Sequence, residues 1–472
     1  MRETHTPDAA SHEGTAAIAM VAALTACVVS QMYVAWSFGA LSGDHRASWH
    51  LTISLICSLA LPTAALLAAC YATRSAEMPR NTLLAVALAG LLMRLPYFGA
   101  GPMLEDDHFR YMLDGAMMAN GLNPYSVAPK SLADGMAPAA HLAVAAAGRD
   151  AITQINFPEL RTIYPGAAQM LFALAHLVKP WSIDGLRVVT LLSEIGTALL
   201  CWRLLVALSL PRQLVALVWC NPLMAFTLVG QAHIDAALGP FLLVAVMAAL
   251  RTSGAVAGGA IGLAIGVKLW PVMLAPILLR HLGERRAQLA FLAAMGAVTL
   301  AMCAPLLIAS LTANSGLVSY AQGWHINNMP YAWASYLAYL LVDGDSLERY
   351  LRAAFAAVGA GLAVAMALRP FAAGPVEAGR DLVSRLAVVA AFVFYLSPAQ
   401  FPWYAFWFLP FAVLARNWAL VVATASLPSY FLFFPLAGSG GGNLFGYWLS
   451  GLHLLPLIVV LVLQHSRRMN DR

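Results

Sequence analysis

Apolar runs separated by short polar turns recur along most of the chain, from near Thr15 to Gln464. A run of about 20 residues crosses the ~30 Å hydrocarbon core of a bilayer as an α-helix. Backbone polar groups inside a bilayer must be hydrogen-bonded within the chain, so such runs fold as helices. The pattern predicts an all-α, polytopic integral membrane protein with roughly 12–14 transmembrane helices.

Three early runs set the topology, and they cover Thr15–Leu41, His50–Ala72 and Asn81–Ala100. The turn after the second run contains Arg74 and Arg80, and basic turns tend to remain in the cytoplasm. The chain beyond the third run therefore emerges on the opposite side, which we expect to be the periplasm.

The one long polar insertion spans residues 101–162 and forms the first large outer loop. It contains an acidic segment, a turn at Asn120–Tyr125 and an Ala-rich stretch that we expect to lie on the membrane surface as juxtamembrane helices. A new span is expected to begin at Tyr164-Pro165. The remaining loops are short, so residues 1–472 are expected to form a single transmembrane domain without a separate soluble domain.

Composition supports the membrane assignment, because 61% of the residues are hydrophobic and 10% are charged, with a mean hydropathy of +0.74. Soluble domains are about half apolar and a quarter charged. The net charge of +5 is spread over turns without interleaved aromatic residues, so nucleic-acid binding is not expected. The six cysteines lie in apolar runs without Cys-x-x-Cys spacing, which predicts core positions.

The acidic segment Glu105–Gly115 contains four carboxylates, a histidine and an arginine directly after an apolar run. In a helix, Asp107, Arg110, Tyr111 and Asp114 would share one face at i, i+3, i+4 and i+7. The guanidinium of Arg110 would then steady Asp107 and also reach Asp114. The spacing favours a positioned base, and the alternative is a charged segment leaving the membrane.

The middle of the chain allows two topologies, because Asn221-Pro222 breaks an apolar run and proline removes a helical hydrogen bond. If Leu214–Val229 crosses the membrane, the following group Gln231–Asp235 reaches the cytoplasmic side. If it dips in and returns as two half-helices, that group faces the periplasm together with Lys268.

We prefer the second topology because it places Arg251 in the cytoplasm with the basic turn Arg280–Arg286. It leaves Arg203 and Arg212 outside, so the charge rule alone does not decide between the two.

Two further loops carry polar and aromatic residues toward the same outer side. The loop Ser310–Met329 contains His325, and Tyr331–Val342 is expected to form an interfacial helix. A later span leads to Ser397–Tyr404, which includes Pro402-Trp403-Tyr404.

Several short motifs occur in a fixed order along the chain: Asp-x-x-Arg-Tyr, Gly-Leu-Asn-Pro-Tyr, Tyr-Pro, Gly-x-x-His-x-Asp, Lys-x-x-Pro and Pro-Trp-Tyr. Together, over about residues 80 to 410, they resemble the GT-C superfamily of membrane glycosyltransferases, within it the bacterial polyprenol-phosphate-mannose-dependent type. The resemblance implies a catalytic aspartate in the first outer loop, a hexose donor (mannose) on polyprenyl phosphate, inversion at the anomeric carbon and a periplasmic site in the inner membrane. The acceptor is left open.

By position, Asp107 matches the family aspartate, with Asp106 and Glu105 as acidic neighbours. The tripled acid leaves open which of the three acts, and we name Asp107 and Asp106 as catalytic candidates.

The expected chemistry needs few groups, because polyprenyl phosphate is already a good leaving group. A base must take the proton of the acceptor hydroxyl, and cations must hold the phosphate. Lys268 and Arg110 are the candidate phosphate ligands. A single carboxylate base fits direct displacement, whereas a retaining glycosidase uses two carboxylates. The clustered acids make a divalent metal possible, but we expect no required cofactor.

Substrate contact is predicted for eight further residues: Glu105, Tyr111, Tyr164, His233, Asp235, His325, Trp403 and Tyr404. Simpler roles remain open for several of them. His233 and Asp235 suit a helix cap, Trp403 and Tyr404 suit an interfacial aromatic belt, and Lys268 could extend to the membrane surface.

The competing function is a secondary transporter or flippase, since broken helices and charges within the membrane are typical of transporters. Against it, the two halves of the chain show no repeat, and the densest acid cluster lies in an outer loop. A polysaccharide polymerase or ligase would still use lipid-linked sugar chemistry.

Overall fold

The computed structural model describes residues 7–39, 48–74, 78–101, 103–311, 315–341 and 347–470. Within these ranges the chain is helical, and its β-structure is limited to one isolated bridge between Ile326 and Ala399. The all-α prediction is confirmed. The expected element ends at Leu41 and Val342 lie outside the described residues.

The described residues of the first half form fourteen α-helices: α1 Pro7–Gly39, α2 Trp49–Ala72, α3 Arg80–Leu92, α4 Asp107–Ala119, α5 Pro129–Ala133, α6 Ala139–Ala145, α7 Arg149–Ile152, α8 Gly166–Val178, α9 Ile183–Ala207, α10 Ala216–Trp219, α11 Pro222–Met224, α12 Leu238–Leu250, α13 Gly254–Val267 and α14 Ala275–His281. Ten more lie in the described part of the second half: α15 Arg285–Ala309, α16 Gly316–Gly323, α17 Met329–Leu341, α18 Leu347–Leu368, α19 Pro375–Leu396, α20 Leu409–Leu414, α21 Trp418–Ala423, α22 Phe433–Gly438, α23 Gly442–Tyr447 and α24 Leu455–Asn470. Short helical turns of other types connect many of them.

Seven helical stretches of the described chain are long and apolar enough to cross a membrane: Gly14–Ser37, Trp49–Ala72, Ile183–Ala207, Arg285–Ala309, Leu347–Leu368, Trp418–Gly438 and Gly442–Gln464. An eighth is a broken pair, Arg212–Trp219 followed by Pro222–Gly230, with a bend of 41°. The number is lower than predicted because other apolar runs form shorter helices, namely Gly166–Val178, Ile234–Leu250 and Gly254–Val267.

Helix α8, expected to begin a new span, does not cross the bilayer. Its 13 residues span roughly 20 Å, which is less than the hydrocarbon core. Tyr164, just before α8, donates to Tyr111 of α4 at 3.3 Å, and Asp184, just after it, accepts from the Gly99 N–H at 3.2 Å. Both ends therefore lie on the face that carries α4, which we call the site face.

Close packing explains why α8 lies against α4. A Cβ atom at Gly115 of α4 would lie 2.3 Å from the carbonyl oxygen of Phe172 in α8. The absence of a side chain lets the two backbones approach.

Because α8 does not cross the membrane, the segments that follow it start from the opposite side to the predicted one. Helix α9 starts at the site face and ends near Leu208, whose carbonyl accepts from Arg380 at 2.9 Å. Arg203 and Arg212 therefore lie at the opposite face with Arg380, which corrects the prediction that they lie outside. We call this the basic face.

The segment Leu214–Val229 then crosses back to the site face instead of dipping in and returning. Its break is built by Asn221, whose side chain accepts from the N–H groups of Leu223 and Met224 at 3.0 and 3.3 Å. Pro222 follows in the first helical position, which suits it. His233, Asp235 and Lys268 consequently share a face with α4, as predicted, although by the crossing path that we did not prefer.

Arg187 of α9 fixes this arrangement at the site face. Its buried guanidinium donates to the carbonyls of Gly230 at 2.9 Å and Ala100 at 2.7 Å, and it pairs with Asp184 at 3.0 Å. The loop before α4 and the end of the broken span are thus held by one side chain.

Candidate functional site

A cavity of about 490 Å³ opens at the site face between the first outer loop and the C-terminal helices. Its polar part is lined by Asp107, Arg110, Arg161, Lys268 and Arg352, among others. Among the described lining residues, four side chains are cationic and one is a carboxylate. Such a cavity suits an anionic ligand beside a single basic oxygen.

Asp107 is the first residue of α4, and its carboxylate lines the cavity with 36% of the side chain exposed. Its Oδ2 accepts a hydrogen bond from the Tyr111 hydroxyl at 3.3 Å and lies 3.8 Å from Nδ1 of His233. Burial, and secondly the charge of Asp106, raise the pKa of Asp107 to about 6, against the opposing effects of Lys268 and Tyr111. Such a carboxylate is ionised at neutral pH and more basic than an ordinary aspartate.

The two neighbouring acids face other partners. Glu105 accepts from the Tyr430 hydroxyl at 3.1 Å, and Asp106 accepts from the Asn156 amide at 2.7 Å. Both precede α4, which begins at Asp107. In the part of the chain that the structure describes, no three His, Cys, Asp or Glu side chains form a group that could hold a metal ion.

Arg110 lines the cavity but does not steady the acids of its own helix. Its guanidinium donates to the carbonyl of Phe157 at 3.4 Å, and no ion pair of the described residues joins it to Asp107 or Asp114. Asp114 is buried and accepts instead from Thr162 and from Gln169. The predicted shared face is present, but Asp114 anchors α4 to the chain before α8.

Tyr111 and Tyr164 connect this anchor to the carboxylate. The ring of Tyr111 stacks on Phe172 at 4.5 Å, and its hydroxyl accepts from Tyr164 at 3.3 Å while donating to Asp107. Tyr164 lines the cavity, whereas Tyr111 is buried behind Asp107. The pair therefore restricts the orientation of the Asp107 carboxylate.

Lys268 reaches the cavity from the end of α13. Its ammonium group lies 2.7 and 2.9 Å from the two carboxylate oxygens of Asp235 and 3.8 Å above the ring of Tyr404. Asp235 is buried and also accepts from the Trp407 indole at 2.7 Å. Lys268 thus points into the protein and not to the membrane surface, and Asp235 contacts the lysine instead of lining the cavity.

The aromatic segment Pro402–Trp407 packs into the site and not into a membrane-interface belt. Trp403 is buried and stacks on His233 at 3.6 Å and 12°. Tyr404 lines the cavity, and its hydroxyl lies 3.2 Å from that of Tyr320. His233 is fully buried, and neither ring nitrogen has a hydrogen-bond partner among the described residues.

The loop with His325 reaches the same region, although His325 itself is exposed and does not line the cavity. The backbone of Ile326 accepts from Gln400 and donates to Pro398, both at 3.0 Å. Its neighbour Trp324 lines the cavity and packs on Phe157 at 4.3 Å. Part of the predicted loop Ser310–Met329 is helix α16, and the residue that lines the cavity is Trp324, one position before His325.

An apolar arm of the cavity runs between α18 and α19. It is lined by Phe355, Ala356 and Gly359 of α18 and by Val393 and Leu396 of α19. A Cβ atom at Gly359 would meet nothing within 4 Å. Helix α18 is one of the candidate membrane spans, so this part of the lining belongs to a helix that is long and apolar enough to lie in a bilayer.

Sequence reasoning missed several lining residues, including Asn156, Arg161, Tyr320, Arg352 and Trp407. Two of them had a signal, since Arg161 lies three residues before Tyr164 and Trp407 follows Tyr404 by three residues. Arg352 lies in an apolar helix and pairs with Glu348 at 3.0 Å, so no local pattern marks it.

A family model described as "Alpha-(1->6)-mannopyranosyltransferase, N-terminal domain", of the MptA_B family, matches residues 12–284. The match includes Asp107, His233, Asp235 and Lys268 and ends before α15. No curated protein and no solved structure matches the chain.

Proposed function

The chain belongs to the MptA_B family of alpha-(1->6)-mannopyranosyltransferases, and from this we propose that it transfers mannose from polyprenyl phosphate to an acceptor hydroxyl. As a membrane-embedded glycosyltransferase, it needs a chamber for the sugar, cations for the leaving phosphate and access for a lipid. Beyond the family's activity, we propose the lipid-linked donor, Asp107 as the base and the membrane face of the site.

The observation that carries the proposal is the shape and charge of the 490 Å³ cavity. Asp107 lies in its polar chamber with Arg110 and Lys268, and the apolar arm leads to α18 and α19. A polyprenyl-phosphate sugar has the same sequence of parts: a polar sugar, an anionic phosphate and a long hydrocarbon chain. A nucleotide sugar has no hydrocarbon chain that could occupy the apolar arm.

The reaction is a single displacement. The acceptor oxygen forms a bond to the anomeric carbon as its proton passes to the Asp107 carboxylate, and the bond from that carbon to the phosphate oxygen breaks. The electron pair leaves with polyprenyl phosphate, and the anomeric configuration inverts. General-base assistance of this kind contributes about 10²–10⁴-fold in rate.

Lys268 and Arg110 stabilise the departing phosphate. Their cationic groups favour the additional negative charge that develops as the bond breaks, and this effect is strong in a site with little water. Asp235 and Trp407 hold the lysine in place. Tyr111 restricts Asp107 in the same way, so both reacting groups are positioned before the substrates bind.

The positions of the basic residues support a periplasmic site in a bacterial inner membrane. Arg203, Arg212 and Arg380 lie at the face opposite Asp107, and membrane proteins retain basic turns in the cytoplasm. The acceptor would then be a periplasmic glycan or glycolipid hydroxyl. The family description names an alpha-(1->6) linkage, so the accepting group would be a 6-hydroxyl.

The test is stoichiometric release of polyprenyl phosphate. Purified protein in proteoliposomes receives polyprenyl-phosphate [³H]mannose and a synthetic mannoside with a free 6-hydroxyl. We expect labelled disaccharide and free polyprenyl phosphate in equal amounts, and no product from GDP-mannose. Movement of intact donor between leaflets without its cleavage would support the transporter alternative and refute the proposal.

A further inference from the structure

A second cavity, of about 750 Å³, lies at the other end of α9. It is bounded by the last turns of α9, by the end of α12 near Met247 and by the start of α19 near Pro375. Helix α9 has 25 residues and is therefore roughly 37 Å long. The cavity thus opens at the basic face, a membrane thickness away from Asp107, and is separate from the catalytic chamber.

The charged side chains among the described residues that line this cavity are all cationic. Arg203, Arg212 and Arg251 line it, and no Asp or Glu occurs among its described lining residues. The nearest acid along the chain, Glu377, is paired with Arg380 at 2.9 Å. The guanidinium groups of Arg203 and Arg251 are exposed, with no ion pair or hydrogen bond to any described residue.

The walls of the cavity are apolar, and several of their side chains are exposed on the outside of the helices. Leu199 and Val206 of α9 are 52% and 53% exposed, and Trp202 is 42% exposed. Tryptophan at this depth is typical of the level of lipid headgroups. Arginines at the rim of an apolar groove between membrane helices match the phosphate and acyl chain of an acidic lipid.

We propose that this cavity binds one anionic glycerophospholipid, of the phosphatidylglycerol type, from the leaflet at the basic face. The phosphate lies between Arg203 and Arg251, beside Arg212, and an acyl chain lies along Leu199 and Met247. The bound lipid fills the space between α9, α12 and α19 and stabilises their packing. The inference concerns a different cavity and does not depend on the proposed reaction.

The test is a lipid titration of delipidated protein in neutral detergent, followed by native mass spectrometry. Phosphatidylglycerol should bind one per chain and more tightly than phosphatidylcholine. Each arginine near a lipid phosphate contributes about a factor of five in affinity, so Arg203→Gln/Arg251→Gln should weaken phosphatidylglycerol binding about thirty-fold.

The matched control is Arg285→Gln/Arg286→Gln, which removes two charges from the first turn of α15, outside the cavity lining. It should change the affinity by no more than about two-fold, as expected for surface sites. Met247→Trp should fill the groove and weaken binding without changing any charge, which keeps the test informative if the arginine variant is poorly folded.

Equal affinity for the two lipids would overturn the proposal. An equal loss of phosphatidylglycerol affinity in the Arg203→Gln/Arg251→Gln variant and in the control would show non-specific attraction to surface charge. That result would also overturn the proposal. Polyprenyl phosphate displacing phosphatidylglycerol at lower concentration would assign the cavity to a different lipid. Mannosyl transfer is measured on the same preparations in phosphatidylcholine vesicles. If transfer occurs there while phosphatidylglycerol does not bind, the lipid site is refuted and the proposed reaction is not.

Discussion

The ion pair between Lys268 and Asp235 makes a specific prediction about stability and donor binding. Asp235 is 1% exposed and Lys268 18% exposed, with 2.7 Å between the charged atoms. Removing one partner of a buried pair leaves the other charge uncompensated and costs roughly 3–5 kcal/mol. Lys268→Met should therefore destabilise the protein by about this amount, because the buried Asp235 loses its counter-ion.

The same substitution removes a cation from the proposed phosphate site. Losing a buried charge contact to a ligand costs roughly 2–5 kcal/mol, which corresponds to at least a thirty-fold rise in the donor Kd. Lys268→Met alone cannot separate this effect from the damage to folding.

The double variant Lys268→Met/Asp235→Asn separates the two effects. Both charges are absent, so most of the lost stability should return, while donor binding should remain weak because no cation faces the phosphate. The amide oxygen introduced by Asp235→Asn still offers Trp407 a hydrogen-bond acceptor. The matched single variant Asp235→Asn should keep the lysine charge and bind donor with smaller loss.

Thermal unfolding in detergent measures the first effect, and binding of a non-transferable donor analogue measures the second. Recovery of donor affinity in the double variant would show that Lys268 acts only by neutralising Asp235. That result would refute its assignment as a phosphate ligand.

Three further predictions concern the base, the lipid arm and metal ions. Asp107 acts when ionised, so kcat/KM should fall as the pH decreases through about 6. Tyr111→Phe should shift this decrease to higher pH, because it removes a hydrogen bond that lowers the pKa of Asp107. Gly359→Leu should raise the KM for long-chain donors more than for short-chain donors, whereas Gly361→Leu, in the same helix but outside the cavity lining, should not. Chelation with EDTA should leave transfer within about two-fold, and loss of activity restored by Mg²⁺ would contradict this.

The raised pKa of Asp107 also affects stability, with a defined sign. Its pKa is above the unfolded value, so the neutral carboxyl is favoured in the folded protein, and this contribution is lost as the pH rises through about 6. The full shift would correspond to about 3 kcal/mol, and the 36% exposure of the side chain reduces it to roughly 1 kcal/mol by solvent screening.

The helical spacing in the acidic segment predicted the local part of the site. The i, i+4 relation between Asp107 and Tyr111 appears as a hydrogen bond, because neighbours on one helix face are fixed by helix geometry. Arg110 has the same kind of relation to Asp107 but binds the carbonyl of Phe157, 47 residues away. A tertiary contact there overrides the local pattern.

The predicted topology was wrong at α8 and at Leu214–Val229, and the first of these errors has a clear local cause. Gly166–Val178 is apolar and ends at Lys179-Pro180, so its pattern is that of a span, and its length of 13 residues is the only local warning. The packing of α4 through Gly115 keeps it at the site face. This one error inverted the predicted side of Arg203 and Arg212, because each crossing reverses the side of everything that follows.

Contacts between distant residues were beyond the reach of the sequence pattern. Lys268 and Asp235 were both identified, but their pairing, and the bond from Trp407, depend on how the helices pack. Arg94 and Glu194 form a fully buried pair at 2.6 Å from within two apolar runs. Their partnership, 100 residues apart, has no local signal.

The central claim is that Asp107 is the base of a lipid-linked mannosyl transfer. Its most direct test is turnover of polyprenyl-phosphate [³H]mannose by Asp107→Asn and Asp106→Asn proteins in the same proteoliposomes. Asp107→Asn should bind donor and lose about 10²–10⁴-fold in turnover. Asp106→Asn should keep most of its turnover, because the Asp106 carboxylate accepts a hydrogen bond from Asn156 and does not line the cavity. Near-normal turnover by Asp107→Asn, with or without loss in Asp106→Asn, would contradict the account.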